Sequence, residues 1–186
     1  DPKLRILPTN IIIGSSVNLG AGLALASKIQ NKKEVTIATI GDGGTAHEEF
    51  NAGLNYAAVF GVPLVVFIQN NQYSISNPRN KVSKAKTLAQ KCYACGIPGM
   101  QVDGNDILAV YVAAQEAFNE ARKGKGPTLI ENFSYRLEAH STNDNASVYR
   151  SKEEELEWRK KDPIVRFQKY LMNKSYLTLK QVEQFG

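Results

Sequence analysis

VTIATIGDGGTAHEEFNAGLNYAAVFGVPLVVFIQNNQYSIS, residues 35–76, decides how this chain is read. An apolar run from Val35 to Ile40 breaks at Gly41-Asp42-Gly43-Gly44. Phe50, Leu54, Ala57 and Ala58 then recur at helical spacing, and Gly61-Val62-Pro63 stops that helix. A second apolar run, Leu64 to Ile68, ends at Asn70-Asn71. Asp42 and Asn71 thus each stand just past a predicted strand. The roughly thirty positions between them suit one strand–helix–strand unit. In a parallel sheet both strand ends open on the same edge, where α/β proteins bind ligands. Two oxygen-bearing side chains there, beside glycines, suit a hard divalent cation that also holds phosphates.

Upstream, Ile11-Ile12-Ile13 is an apolar run reaching Gly14-Ser15-Ser16. Asn18 is placed to cap the helix that follows, LGAGLALASKI. That helix is apolar or small on every face, which predicts burial. Gly20 and Gly22 lower helix propensity, so close packing is the expected reason for them. Downstream of Gly44, Thr45-x-x-Glu48 has the spacing of a capping box. Tyr73 to Lys86 is a polar loop, and Leu88 to Cys95 a short helix ended by Gly96 and Pro98. Asp103-Gly104-Asn105 reads as a turn and cap. The next helix puts Ile107, Tyr111, Ala114, Phe118 and Ala121 on one face and stops at Gly124-Lys125-Gly126-Pro127. Thr128 to Phe133 is a further strand. Four strands alternating with helices predict an α/β fold, a mostly parallel sheet with helices on both faces. Residues 134–151 lack periodicity, and a loop of that length is usually functional. Residues 152–186 are charged and helical, with a break at Asp162-Pro163.

The 186 residues read as one domain, large enough for a sizeable core. Hydrophobic residues make up 42% and charged residues 22%, the balance of a folded globular chain. The net charge of +5 is scattered, with groups at Lys81–Lys86 and Arg159-Lys160-Lys161. Without interleaved aromatics these read as solvated surface, not a nucleic-acid site; a basic face can help dock an acidic partner. The two cysteines, Cys92 and Cys95, are spaced C-x-x-C. A zinc site needs two further ligands; a redox pair is the alternative to the expected reading, buried thiols on a helix. Few cysteines fit a reducing cytoplasm. No stretch has the length and character of a membrane span or a signal peptide.

Gly41-Asp42-Gly43, the helix after it and Asn70-Asn71 resemble the motif that binds thiamine diphosphate with Mg²⁺. Asn18–Ala26, Gly96-Ile97-Pro98-Gly99 to Val102-Asp103-Gly104, and Tyr135-Arg136 through His140-Ser141-Thr142 to Tyr149-Arg150 narrow the likeness. Together they resemble the thiamine-dependent α subunits of the 2-oxo acid dehydrogenase complexes, over nearly the whole chain to at least Leu171. Members of that family extend further at the N-terminal end, and this sequence begins at Asp1-Pro2 without Met. It therefore reads as part of a longer chain.

The resemblance implies a thiamine-diphosphate-binding fold and a set of site residues. Asp42, the Asn71 side chain and the Tyr73 backbone carbonyl would ligate Mg²⁺, with diphosphate oxygens and water completing an octahedron. Gly43 and Gly44 would let backbone N–H groups approach the diphosphate, helped by the helix starting near Ala46. Ile13 would press on the cofactor and keep it bent, with Ile75 contributing similarly. His140, in the loop that closes the site, would lie beside the cofactor and assist acyl transfer to a lipoyl group. Ser141 and Ser147 fall at or near positions that kinases modify in some relatives; unmodified serine is the default reading.

The implied activity is oxidative decarboxylation of a 2-oxo acid. The implied partners are a β subunit in an α₂β₂ assembly and a lipoyl-bearing acyltransferase. Residues Lys86 to Asp106 lean towards pyruvate-acting members, which is the reading adopted. Ala52 and the His140 loop lean towards the branched-chain type, and Glu48 stands where many relatives have Gly. A dinucleotide-binding oxidoreductase is the weaker enzyme alternative, since Gly41-Asp42-Gly43-Gly44 lacks the third glycine of G-x-G-x-x-G. A non-catalytic assembly module is the alternative of another class.

Overall fold

The computed structural model describes residues 1, 3–7 and 11–185. In chain order its elements are α1 (Ser15–Ile29), β1 (Thr36–Gly41), α2 (Glu48–Phe60), β2 (Leu64–Asn70), β3 (Tyr73–Ser74) and β4 (Asn77–Pro78). Then come α3 (Arg79–Val82), β5 (Gly99–Asp103), α4 (Ile107–Arg122), β6 (Thr128–Phe133), α5 (Lys152–Arg159), α6 (Pro163–Asn173) and α7 (Leu179–Phe185). Single 3₁₀ segments lie at Gly43–Ala46, Leu88–Cys95 and Ala146–Val148. Four strands form one parallel sheet in the order β1-β2-β6-β5. β3 and β4 pair as a small antiparallel hairpin.

The period of two along β2 explains the layering. Leu64, Val66 and Ile68 face a core shared with α1, α2 and the 88–95 segment, through Val17, Ala21, Phe50, Leu54 and Leu88. Val65 and Phe67 face the opposite side, where Ala113, Ala117 and Phe118 of α4 pack with Met100 and Val102. Both faces of the central strands are therefore covered. That is why β2 reads as a continuous apolar run from Leu64 to Ile68 and not as an alternating one.

Several local expectations are corrected. The apolar run Ile11-Ile12-Ile13 is exposed and outside the core, with Ile11 almost fully open. α1 begins at Ser15 behind Gly14, so Asn18 lies inside the helix and not at its cap. There it sits at the crossing with α2: a Cβ on Gly53 would stand 2.5 Å from Asn18 Oδ1. Gly20 does meet β1 closely, whereas nothing approaches Gly22. Leu19, Leu23 and Ile29 leave one stripe of α1 open, so the helix is not buried all round. The capping box does not form. Thr45 is buried in the 3₁₀ turn, and His47 starts α2 without a side-chain cap. On α4 the buried face is Ala113, Ala117 and Ala121, while Ile107 and Tyr111 are exposed: small side chains let the helix approach the sheet. Its cap is Asp106, which accepts from Leu108 N and Ala109 N.

Other signals hold. α2 ends at Gly61 with φ +54, in the left-handed conformation that glycine adopts without strain. Asp162 caps α6, with Pro163 in its first turn. Cys92 is buried, Cys95 half-buried, and both are free thiols on the 88–95 segment. Burial pushes both thiol pKa values up, which suits inert packing.

Candidate functional site

The site lies where β1 and β2 end. The strands pair in register from Thr36↔Leu64 to Gly41↔Gln69, so both chains leave the sheet at the same level. The Gln69 carbonyl then accepts from Asp42 N at 3.2 Å and from Asn71 N at 3.0 Å. Asp42 is only 3% exposed, and its Oδ2 has no hydrogen-bond partner among the described residues. Burial raises its carboxyl pKa above the ordinary 3.8. The Gly43 N–H, its own N–H, and the Arg136 and Arg79 charges pull the other way. A buried carboxylate oxygen without a partner is costly, and a bound cation relieves that cost. Thr45 fixes the turn by donating its hydroxyl to the Asp42 carbonyl at 2.7 Å.

The two glycines are explained first by packing within the chain. A Cβ on Gly43 would lie 2.7 Å from Ser74 Cβ, so the β3–β4 hairpin rests directly on the Asp42 turn. A Cβ on Gly44 would lie 2.6 Å from Ile40 Cγ1 and 3.4 Å from Ile13 Cγ2. Ile13 thus stands over Gly44 at the mouth of the site with half its surface open. α2 begins at Glu48, two residues later than expected, and Glu48 is exposed at its first turn.

Asn71 folds back locally, its Oδ1 accepting from Tyr73 N at 3.2 Å. Gln72 (φ +74) and Ile75 (φ +55) take left-handed conformations, which strains a β-branched residue such as Ile75. Arg136 holds this shape by donating to the Tyr73 carbonyl at 3.0 Å and to the Ile75 carbonyl at 2.5 Å. The Tyr73 carbonyl is therefore already engaged by a guanidinium. Its second lone pair is the one left for a further ligand. Ile75 is half-exposed on the outer side of the hairpin turn.

His140 is exposed in the irregular segment after β6. Its backbone N–H donates to Asp144 Oδ2 at 2.7 Å, and the Tyr149 hydroxyl donates to the same oxygen at 2.5 Å. Arg136 donates to Tyr149 Oη at 3.0 Å. A chain of polar contacts thus runs from His140 through Asp144, Tyr149 and Arg136 to Tyr73. Beneath it Tyr73 donates its hydroxyl to both Glu154 oxygens at 3.0 Å. Burial, and then Glu154, push the Tyr73 pKa up to about 12, so it remains a donor. Tyr135 stacks on Trp158 at 5.2 Å, packing α5 under the loop.

Sequence reasoning missed two residues behind the site, Glu131 and Lys91, and gave no role to a third, Arg136, which it named only as part of the loop motif. Glu131, fully buried in β6, bridges Asn70 and the 88–95 segment. Lys91 donates to the Thr45 carbonyl at 2.9 Å, and burial lowers its pKa. Arg136 ties the hairpin to the loop. Glu131 left a trace as an acid within the predicted strand TLIENF, and Arg136 as part of the Tyr135-Arg136 stretch. Among the described residues no three His, Cys, Asp or Glu side chains converge.

The chain is an α/β fold with helices on both faces of a parallel sheet, and it places a buried carboxylate, Asp42, at the adjacent ends of β1 and β2. The family model for the dehydrogenase E1 component matches residues 1–185, and the chain belongs to that family. It is 63% identical over 174 residues to a pyruvate dehydrogenase E1 component subunit alpha of Acholeplasma laidlawii, covering 93% of this chain and 50% of that one. It is 50% identical over 172 residues to the Staphylococcus aureus (strain Mu50) protein of the same description, covering 92% and 46%. For the Staphylococcus epidermidis protein of that description, identity is 47% over 169 residues, covering 90% and 46%. The chain spans about half the length of these curated relatives.

Proposed function

We propose that this chain carries the α-subunit share of a thiamine diphosphate and Mg²⁺ site in a pyruvate-decarboxylating E1 component. The observation that carries the proposal is the unpartnered Asp42 Oδ2, buried beside Asn71 at a shared strand edge. Asp42, Asn71 Oδ1 and the free lone pair of the Tyr73 carbonyl would hold Mg²⁺ together with the diphosphate. Ile13, over Gly44, would pack on the cofactor rings, with Ile75 nearby at the hairpin turn. Bound there, thiamine diphosphate supplies the electron sink for loss of CO₂ from a 2-oxo acid. The chain's own tasks are to neutralise phosphate charge through the cation, to shape the pocket, and to bring His140 over it on residues 134–151. His140 would then assist acyl transfer to a lipoyl group.

The site is open on one side, and the apolar stripe of Leu19 and Leu23 on α1 remains uncovered. This supports completion by a β subunit, with a lipoyl-bearing acyltransferase as the acyl acceptor. Pyruvate as substrate rests on what the similar proteins are called. No helix among the described residues is long and apolar enough to cross a membrane; two free thiols suit a cytoplasmic setting. The test is turnover by the full-length α chain reconstituted with its β partner, on pyruvate and on a branched 2-oxo acid. Turnover of pyruvate that needs both chains is expected. Equal turnover without the partner, or preference for the branched acid, contradicts the proposal.

A further inference from the structure

Glu131 is fully buried, has no ion pair among the described residues, and accepts two hydrogen bonds. Asn70 Nδ2 donates to one carboxyl oxygen at 2.5 Å, and Ala89 N donates to the other at 2.8 Å. The Asn70 amide has no freedom to turn over. Its Oδ1 faces Gln72 N at 3.3 Å and Gln72 Nε2 at 3.0 Å, and a backbone N–H can only donate. The Asn70 carbonyl in turn accepts from Ser134 N at 2.9 Å, at the start of the His140 segment. Asn70 therefore presents a donor to Glu131 and an acceptor to the turn that carries Asn71 and Tyr73.

We infer that Glu131 is a positioning residue for the metal-binding turn, acting through Asn70 to set where Asn71 and the Tyr73 carbonyl stand. The inference rests on the metal-site reading above. Burying a carboxyl group without a cation is costly, and an apolar residue would pack there at lower cost. What only a carboxylate offers is an acceptor on both sides. An amide in its place has one oxygen and one NH₂. If the oxygen faces Ala89 N, the NH₂ meets the Asn70 NH₂. If it faces Asn70, the NH₂ meets the Ala89 N–H. Either way two donors are opposed, or Asn70 turns over and releases Gln72. Exchanging the two functional groups removes the conflict. In Asn70→Asp/Glu131→Gln, the new amide accepts from Ala89 N and donates to the new carboxylate, whose other oxygen keeps Gln72.

The experiment titrates thiamine diphosphate into the full-length protein in its assembled complex at several Mg²⁺ concentrations, with thermal melts as the folding control. Glu131→Gln is expected to bind at least tenfold more weakly at low Mg²⁺ and to recover towards the parent at saturating Mg²⁺. A variant that had only lost stability would not show that dependence. The double exchange is expected to return affinity to within threefold of the parent. If Glu131→Gln does not fold, the double exchange decides alone. A double exchange that fails to fold, or binds no better than the single variant, overturns the inference. Unchanged Mg²⁺ dependence in folded Glu131→Gln also overturns it, while leaving the metal site standing. A parent that binds no cofactor at any Mg²⁺ concentration overturns both.

Discussion

Asp42 and Asn71, at the ends of neighbouring strands, donate their backbone N–H groups to a single acceptor, the Gln69 carbonyl. The parallel register β1-β2 delivers the two residues to the same level, and this shared acceptor locks them there. Their side-chain oxygens then differ in state. Asn71 Oδ1 is taken up by its own turn, whereas Asp42 Oδ2 is bare. Asp42 thus brings a buried carboxylate oxygen with no partner among the described residues to the strand edge.

That state has a pH signature. The folded-state pKa of Asp42 is raised by burial. Such a group favours folding below its unfolded pKa and loses that contribution as pH rises through the folded value. Above that value the buried charge costs stability unless a cation offsets it. Asp42→Asn should melt at or above the parent temperature without Mg²⁺, with a gain of order ~1 kcal/mol, or ~2–4 °C for a chain this size. It should lose the stabilisation the parent gains from Mg²⁺ with thiamine diphosphate. A cation-free variant melting well below the parent at pH 7 counts against this account.

Gly43 is needed for the hairpin that packs on it. Gly43→Ala drives a methyl group into Ser74 and should cost ~1–3 kcal/mol, the usual scale of overpacking. Gly43→Ala/Ser74→Gly should recover most of that loss, because the nearest Ser74 atom left, Cα, stands 3.5 Å away. Denaturant melts of the four proteins in this cycle measure it. Additive losses would show that Ser74 is not what the methyl group meets.

Tyr149 links Asp144, which holds the His140 backbone, to Arg136, which holds the hairpin. Tyr149→Phe deletes both contacts and keeps the ring against Tyr73. It should cost ~0.5–1.5 kcal/mol of stability. Limited proteolysis should cleave residues 134–151 several-fold faster, while the Mg²⁺ dependence of cofactor binding stays unchanged. A cleavage rate equal to the parent's contradicts the linkage.

The strand ends were legible because β1 and β2 are apolar runs cut off by Gly-Asp-Gly-Gly and Asn-Asn, and buried parallel strands need just that pattern. Ile11-Ile12-Ile13 carries the same signal and makes no strand; nothing local distinguishes an apolar run that finds a sheet partner from one that does not. The α4 face was misjudged because large side chains were expected inside, while close approach to β2 and β6 selected alanines. Gly43 and Gly44 stood out in the sequence as neighbours of a diphosphate, whereas the neighbours the structure gives them, Ser74 and Ile40, are tertiary contacts within the chain. Glu131 and Asn70 lie far apart in sequence and meet only because β2 and β6 pair, so that hydrogen bond was invisible beforehand.

The most direct measurement is a thiamine diphosphate titration of the full-length protein, comparing parent, Asp42→Ala and Asn71→Ala across Mg²⁺ concentrations. Circular dichroism serves as the folding control. Asp42 supplies the only carboxylate proposed for the Mg²⁺ shell, and Mg²⁺ relies on one or two carboxylates with substrate phosphates. Asp42→Ala should weaken binding by at least ~1–3 kcal/mol, the scale of losing a charged hydrogen-bonding group. Asn71→Ala should cost less and be partly rescued by high Mg²⁺, since water can fill the gap. A folded Asp42→Ala protein that binds thiamine diphosphate as tightly as the parent contradicts the metal site and the function built on it.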